Sequence, residues 1–176
     1  MKYKPMLAQP VGDYSRIKSS DWPLYVQPKL DGVRCLIQYD IPKNSEGLHV
    51  WRKSCFAGKV VAYSRTGKEW KNIDHILNEL LPFFEEYPNV VLDGELYNHD
   101  LRNNFEKIIS LVRKTKPTNE DRIESAEKVR FHCYDFIPCS PSFDFKWRNN
   151  FIKKHLGWNR FPSVVTLQYG IVHNTE

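Results

Sequence analysis

The sequence lacks the patterns that mark metalloproteins, secreted proteins and membrane proteins. Its four cysteines contain no CxxC pair, and its six histidines form no HxH or HxxxH set, so no transition-metal site is predicted. The N-terminus has no apolar core of the secretory type, and no apolar run is long enough to cross a bilayer. These absences predict a soluble cytoplasmic protein whose thiols are reduced. For a chain encoded by a virus, the predicted location is the cytoplasm of the host cell.

The composition indicates one globular domain with a mildly basic surface. The chain has 176 residues, of which 41% are hydrophobic and 27% are charged, and its net charge is +5. This charge suits a polyanionic partner. A basic cluster lies in the third quarter of the chain, where phosphate contact and an ordinary solvated face are both open readings. The cluster consists of Arg113, Lys114, Lys116, Arg122, Lys128 and Arg130.

Periodicity predicts strands that alternate with helices. Strand patterns cover residues 25–39 as a strand pair or strand–loop–strand, 47–64 as a hairpin that turns at Gly58, and 90–97, 131–136 and 163–172. Helical patterns cover residues 73–84, 101–112 and 145–156. We expect Asn72 to cap the first helix and Pro82 to kink or end it. Paired strands with intervening helices predict an α+β domain whose sheets are largely antiparallel and flanked by helices.

Four short motifs follow one another along the chain. They are Lys29-Leu30-Asp31-Gly32-Val33-Arg34, SRTGK at residues 64–68, VLDGEL at 91–96, and Tyr134-Asp135. A lysine attacks phosphorus only as the free amine, and burial or nearby positive charge lowers its pKa. Lys29 follows a proline at a strand edge, where we expect a rigid, partly desolvated position with positive charge from Arg34. Taken alone, a lysine in such a loop is usually a solvated charge.

The ordered motifs, with Met6-Leu7-Ala8 ahead of them, resemble the covalent nucleotidyltransferases. This superfamily comprises ATP-dependent DNA ligases, RNA ligases and mRNA capping enzymes, and the small ATP-dependent DNA ligases are the most similar. The resemblance extends from residue 6 to about residue 148. It implies two antiparallel sheets around a nucleotide cleft, ATP and Mg²⁺ as cofactors, and nicked double-stranded DNA as a partner.

The resemblance gives four residues roles at the reacting phosphates. Lys29 is expected to take up AMP through a phosphoramidate bond and release pyrophosphate. Asp31 and Arg34 match positions that orient the lysine and contact the ribose. Arg65 is assigned to the AMP site and to the 5′-phosphate of a nick, although SRTG also fits a plain β-turn.

Four further residues are expected around the nucleoside. Gln27 matches a Glu or Gln that contacts the base, although it also suits a loop cap. Tyr134 matches an aromatic residue that stacks on adenine, against core packing as the alternative. Glu95 is given a ribose or metal role, and Asp93 supports it as a second metal-site carboxylate. A hairpin turn is the ordinary reading of Asp93-Gly94-Glu95.

The family pattern has two further motifs toward the end of the domain, a Glu-Gly strand and a Lys-x-Lys pair, and neither occurs after the Tyr134-Asp135 motif. We therefore predict that residues 1–176 form the N-terminal part of an adenylation domain, without its C-terminal part or the following OB-fold. The chain is either truncated or one subunit of a split ligase, and residues 163–172 would then leave a sheet edge and apolar surface unpaired. Alone, it should be poorly soluble or inactive. The alternatives are an RNA ligase, a capping guanylyltransferase, or an inactive nucleic-acid-binding module.

Overall fold

Seven strands and four α-helices make up the described part of the chain. The computed structural model describes residues 17–41, 58–138, 142–157 and 160–174. The strands are β1 (Leu24–Val26), β2 (Val33–Asp40), β3 (Lys59–Tyr63), β4 (Val91–Tyr97), β5 (Arg130–Ile137), β6 (Val164–Thr166) and β7 (Gly170–Val172). The helices are α1 (Asp74–Glu86), α2 (Phe105–Val112), α3 (Asn119–Lys128) and α4 (Phe145–Leu156).

The strands form one large sheet and one small ribbon. The large sheet has the order β3-β2-β4-β5-β6, and the ribbon pairs β1 with β7. All pairs are antiparallel except β5 with β6, which are parallel. The predicted α+β class with largely antiparallel sheets is therefore confirmed.

One face of the large sheet carries the core, and the other carries the charged residues. Along β2, Cys35, Ile37 and Tyr39 are buried in the core, while Arg34 makes its contacts on the opposite face. Helices α1 and α4 cover the core face and meet through aromatic contacts, such as Phe83 with Phe151 at 6.4 Å between ring centroids. The alternation of side chains along the strands thus separates a face that packs against the helices from a face on which charged side chains meet.

Most predicted strands are confirmed, but one arm of the predicted hairpin lies outside the described residues and the last predicted strand is divided in two. Residues 25–39 form strand–loop–strand, with the lysine loop between β1 and β2. The first arm of the predicted 47–64 hairpin lies outside the described residues. The single strand predicted for residues 163–172 is wrong, because the segment splits into β6 and β7, which join different sheets. The split occurs at Leu167, whose N–H donates to the Cys133 carbonyl and whose carbonyl accepts from Asn149 and Gln27.

The helix predictions are right in their cores and wrong at several details. Asn72 does not cap α1; it is buried, and its side chain donates to the carbonyls of Leu111 and Asp121. Pro82 lies inside α1, which continues to Glu86 because the buried Phe83 and Phe84 anchor its last turn. A 3-10 helix replaces the start of the helix predicted for residues 101–112, so that α2 begins only at residue 105. Helix α3 was not predicted.

Internal ion pairs neutralise much of the basic cluster. Lys114 pairs with Asp121 at 2.5 Å, Lys128 pairs with Glu124 at 2.6 Å, and Arg122 pairs with Asp74. This pairing favours the reading of a solvated surface over a dedicated phosphate-binding patch.

Two other predictions concern thiols and membranes. Cys35 and Cys133 are free and fully buried, and burial raises the pKa of both thiols, so they are unreactive packing residues. Within the described ranges, no helix has the length and apolar character needed to span a membrane.

Candidate active site

The lysine loop, residues 27–32, lies against β4 beside Glu95. Gly32 makes this approach possible, because a Cβ at this position would lie 2.5 Å from the Leu96 carbonyl oxygen and 2.6 Å from Cγ of Glu95. Any side chain here would push the loop away from the strand. The loop therefore brings Lys29 close enough to Glu95 for their charges to interact.

Lys29 is paired with Asp31 and exposed to solvent. Its Nζ donates to Oδ1 of Asp31 at 2.6 Å, and the two side chains are 87% and 75% exposed. The hydrogen bond and charge of Asp31 raise the pKa of Lys29 above its ordinary value. The expected partly desolvated lysine with a lowered pKa is therefore not found, because in this conformation the carboxylate beside it stabilises the ammonium form.

Arg34 is held by a two-point ion pair across the sheet. Its Nε and Nη2 donate to the two carboxylate oxygens of Asp93 at 2.7 and 2.6 Å. Burial raises the pKa of the Asp93 carboxyl, and the two hydrogen bonds from Arg34 counteract part of that rise. Both oxygens of Asp93 thus bind Arg34 in this conformation, and its role at a metal site stays a prediction. The positive charge of Arg34, expected to act on Lys29, is instead largely neutralised by Asp93.

Tyr134 and Glu95 form a second polar pair next to the first. The Tyr134 hydroxyl donates to Oε2 of Glu95 at 2.5 Å, and the Arg34 guanidinium lies 5.0 Å from the centre of the tyrosine ring. Burial raises the pKa of Glu95, while the hydrogen bond from Tyr134 opposes that rise. Burial and the Glu95 charge also raise the pKa of Tyr134, which keeps it a hydrogen-bond donor. Arg34 thus lies over the ring expected to stack on adenine.

A β-bulge places Tyr134 in this network. Asp93 pairs with Asp135 while Gly94 pairs with Cys133, so Tyr134 is the extra residue on β5. The bulge changes the alternation of β5, because Phe131 and Cys133 before it and Phe136 after it all lie in the core.

Gln27 contacts the main chain of its neighbours. Its Nε2 donates to the carbonyl oxygens of Tyr134 at 3.2 Å and Leu167 at 3.3 Å. The amide therefore joins the lysine loop to β5 and to the segment after β6. The predicted base contact stays a prediction, and the observed contacts match the alternative of a residue that holds a loop.

Arg65 lies in a tight turn at the same end of the sheet. The turn closes through the Gly67 N–H, which donates to the Ser64 carbonyl at 2.9 Å, and Gly67 has φ 85°. Leu36 pairs with Tyr63, so the turn follows β3 near the point where β2 begins. The exposed Arg65 and Lys29 thus lie beyond the same end of the sheet.

Two features next to the site were not predicted. Arg148 of α4 donates to both oxygens of Asp135 at 2.8 Å, which ties the helix to the strand that carries Tyr134. His132 lies opposite Glu95 in the register, and burial together with the His99 charge lowers its pKa to about 4. The Tyr134-Asp135 step was recognised in the sequence, but no spacing rule identifies Arg148 as its partner.

The exposed cationic side chains of the site belong to Lys29 and Arg65, while its buried carboxylates are bound to neighbouring side chains. Exposed amine and guanidinium groups on Lys29 and Arg65 are the donors that phosphates require. Asp93 is engaged by Arg34 and Glu95 by Tyr134. Among the residues described, no three His, Cys, Asp or Glu side chains are arranged to hold a metal ion.

Comparisons with known proteins show similarity in fold. No family model matches the chain, and no curated protein sequence matches it. A solved structure described as "DNA binding with a minimal scaffold: Structure-function analysis of Lig E DNA ligases" is similar with a TM-score of 0.60 and 18% identity. That match covers 99% of this chain and 54% of the other.

Two further structures, "Pmar-Lig_Pre." and "Pmar-Lig_PreS3", each match with a TM-score of 0.55. Their identities are 22% and 23%, and each match covers 85% of this chain and 31% of the other. The chain therefore spans about half of the Lig E structure and under a third of the Pmar-Lig structures. Its α+β fold is therefore similar to part of the fold of each of these structures.

Proposed function

We propose that this chain is the nucleophile-bearing part of an ATP-dependent DNA ligase, with Lys29 as the residue that becomes adenylated. The observation that carries the proposal is the placement of the lysine loop. Gly32 allows the loop to lie against β4 beside Glu95. Glu95 accepts a hydrogen bond from Tyr134, and the Arg34 guanidinium lies over the Tyr134 ring. Four residues singled out by sequence pattern thus belong to one connected group at one end of the sheet.

The proposed reaction has three steps. The Lys29 amine attacks the α-phosphorus of ATP, so that an N–P bond forms and the bond to pyrophosphate breaks. The AMP then passes from Lys29 to the 5′-phosphate of a nick. Finally, the 3′-hydroxyl attacks that phosphate, which joins the strands and releases AMP. Before the first step Lys29 must lose a proton, and its pairing with Asp31 must weaken to make this possible.

The substrate and cofactors follow from the same proposal. Nicked double-stranded DNA is the proposed substrate, ATP the nucleotide and Mg²⁺ its accompanying ion. The side chains that this chain supplies for phosphate contact are Lys29 and Arg65. Beside them, Asp31 binds Lys29, Asp93 binds Arg34, and Glu95 accepts from the Tyr134 hydroxyl.

A further polypeptide segment is proposed to complete the adenylation domain and to supply the OB-fold. Apolar side chains are exposed on the ribbon and on β6: Val26 is 44% exposed, Ile171 49% and Val165 38%. In a complete domain these residues would be covered. Such a segment, whether in the same chain or in a second subunit, would also provide the Glu-Gly and Lys-x-Lys motifs.

A catalytically inactive nucleic-acid-binding module is the second candidate. The exposure and raised pKa of Lys29 favour it, because a fully charged ammonium binds phosphates but does not attack them. The intact group of Lys29, Arg34, Glu95 and Tyr134 favours the ligase, because simple phosphate binding does not require it.

The test is nucleotide labelling followed by strand joining. The protein is isolated from its native source, so that any partner polypeptide is retained, and incubated with α-phosphate-labelled ATP or GTP. The ligase proposal predicts acid-labile label from ATP that Lys29→Ala abolishes and that Lys71→Ala, an exposed lysine outside the loop, leaves intact. Sealing of nicked DNA in preference to nicked RNA completes the prediction. Label from GTP would indicate a capping enzyme, and absence of label would indicate the binding module.

A further inference from the structure

The carboxamide of Gln27 connects three separate segments of the chain. Its nitrogen carries two N–H groups, and two carbonyl oxygens lie within hydrogen-bond distance of it. These carbonyls belong to Tyr134 in β5 and Leu167 after β6. Both donor positions of the amide are therefore used inside the protein, two residues before Lys29.

The Tyr134 carbonyl is available because of the bulge. Tyr134 has no register partner on β4, because Cys133 before it pairs with Gly94 and Asp135 after it pairs with Asp93. A half-buried main-chain carbonyl outside the ladder needs a donor. Gln27 supplies that donor and thereby fixes the distance between the lysine loop and the residue that holds Glu95.

Leu167 is a rigid second anchor. Its N–H donates to the Cys133 carbonyl at 2.9 Å, and its carbonyl also accepts from the side chain of the buried Asn149 in α4 at 3.1 Å. Strand β5 and helix α4 therefore hold the carbonyl to which Gln27 binds. The lysine loop is tied to a fixed point in the fold through one side chain.

We infer that Gln27 is a positioning residue: its amide N–H groups hold the lysine loop against the Tyr134 bulge and Leu167, a role separate from any base contact by its amide oxygen. This inference rests on the proposed function of Lys29. Glutamate separates the two roles. A carboxylate keeps an oxygen that can accept from a base, but it cannot donate to the two carbonyls and would be repelled by them.

The first experiment measures hydrogen exchange of the lysine loop by mass spectrometry, which requires no activity. Gln27→Glu and Gln27→Ala are each compared with the wild type. Gln168→Glu serves as the matched control, since it adds the same charge at an exposed residue next to Leu167. We expect both Gln27 variants to raise exchange in residues 29–34 by about tenfold, as for the loss of one or two buried hydrogen bonds, and the control to leave it within about twofold. Unchanged exchange in both Gln27 variants would overturn the inference.

The second experiment distinguishes positioning from base recognition by single-turnover labelling of the natively isolated protein. The inference predicts that Gln27→Glu, which keeps an oxygen for the base but loses the amide donors, slows labelling at saturating ATP by about tenfold, while its ATP-to-GTP preference stays within about twofold of the wild type. A Gln27→Glu protein that labels at the wild-type rate, beside a Gln27→Ala protein that loses base preference, would contradict it. If even the wild type takes no label, the proposed function fails, and the exchange experiment still decides whether Gln27 holds the loop.

Discussion

The hydrogen bond between Tyr134 and Glu95 gives a quantitative test of the site. Tyr134→Phe removes one hydroxyl and leaves the ring under Arg34. The bond is short, at 2.5 Å, its acceptor is a carboxylate, and both side chains are partly buried. A hydrogen bond to a charged group in such surroundings contributes about 1.5–3 kcal/mol. We therefore expect Tyr134→Phe to lower the free energy of unfolding by about 2 kcal/mol at pH 7.

The effect must also depend on pH in a known direction. Burial raises the pKa of Glu95, and the Tyr134 hydroxyl stabilises its ionised form against that rise. Removing the hydroxyl therefore raises this pKa further, so that the loss of stability is largest where Glu95 is ionised. As the pH falls through the pKa of Glu95, the carboxyl becomes neutral in both proteins and the difference between them shrinks.

The assay is urea unfolding of the wild type, Tyr134→Phe, Glu95→Gln and the double variant at pH 7 and pH 4. The cycle isolates the energy of the pair, which we expect to be about 1–2 kcal/mol at pH 7. Tyr25→Phe is the control, since Tyr25 is an exposed tyrosine that makes ring contacts with Phe145 and Tyr169. If Tyr134→Phe is as stable as the control at pH 7, or if its deficit grows towards pH 4, this account of the pair is wrong.

Three further predictions concern other parts of the structure. Gly94→Ala should cost about 3 kcal/mol in urea unfolding, because its Cβ would lie 2.4 Å from the His132 carbonyl oxygen, whereas Gly170→Ala, whose Cβ meets its nearest atom at 3.3 Å, should cost less than about 1 kcal/mol. Equal costs would contradict this packing. The pKa of about 4 for His132 means that its contribution to stability is present above pH 6.5 and is lost as the pH falls towards 4. Replacing it with phenylalanine should remove about 1–2 kcal/mol of the wild-type loss between pH 7 and pH 5, and parallel stability curves would refute this. Asp31→Asn should lower the pKa of Lys29, which NMR titration of the lysine side chain can measure; an unchanged or higher value would show that the pair does not form in solution.

The sequence motifs singled out several residues that the fold brings together in the candidate site. Lys29, Arg34, Glu95 and Tyr134 were all singled out from motifs, and the register of β2, β4 and β5 brings them to one end of the sheet. Their individual environments could not be predicted in the same way. The pairing of Arg34 with Asp93 depends on which strands are neighbours, and this is a long-range property that local periodicity does not contain.

The errors in the fold have similar causes. Helix α3 buries little apolar surface, with Ser125 as its buried residue, so it shows no apolar stripe to recognise. Asn72 looks like a helix cap in sequence, but burial between α2 and α3 gives its amide other partners. Residues 163–172 have continuous strand character in the sequence, and the break between β6 and β7 falls at Leu167, which is held by Cys133, Gln27 and Asn149.

The most direct test of the central claim is the chemical state of Lys29 in the natively isolated protein. The protein is treated with pyrophosphate, reloaded with ATP, digested at neutral pH and mapped by mass spectrometry. The account predicts that the peptide containing Lys29 gains the mass of one AMP moiety, that pyrophosphate removes it, and that Lys29→Ala protein shows no AMP on any peptide. AMP on a different lysine, or nick sealing that continues at the wild-type rate in Lys29→Ala protein, would contradict the account.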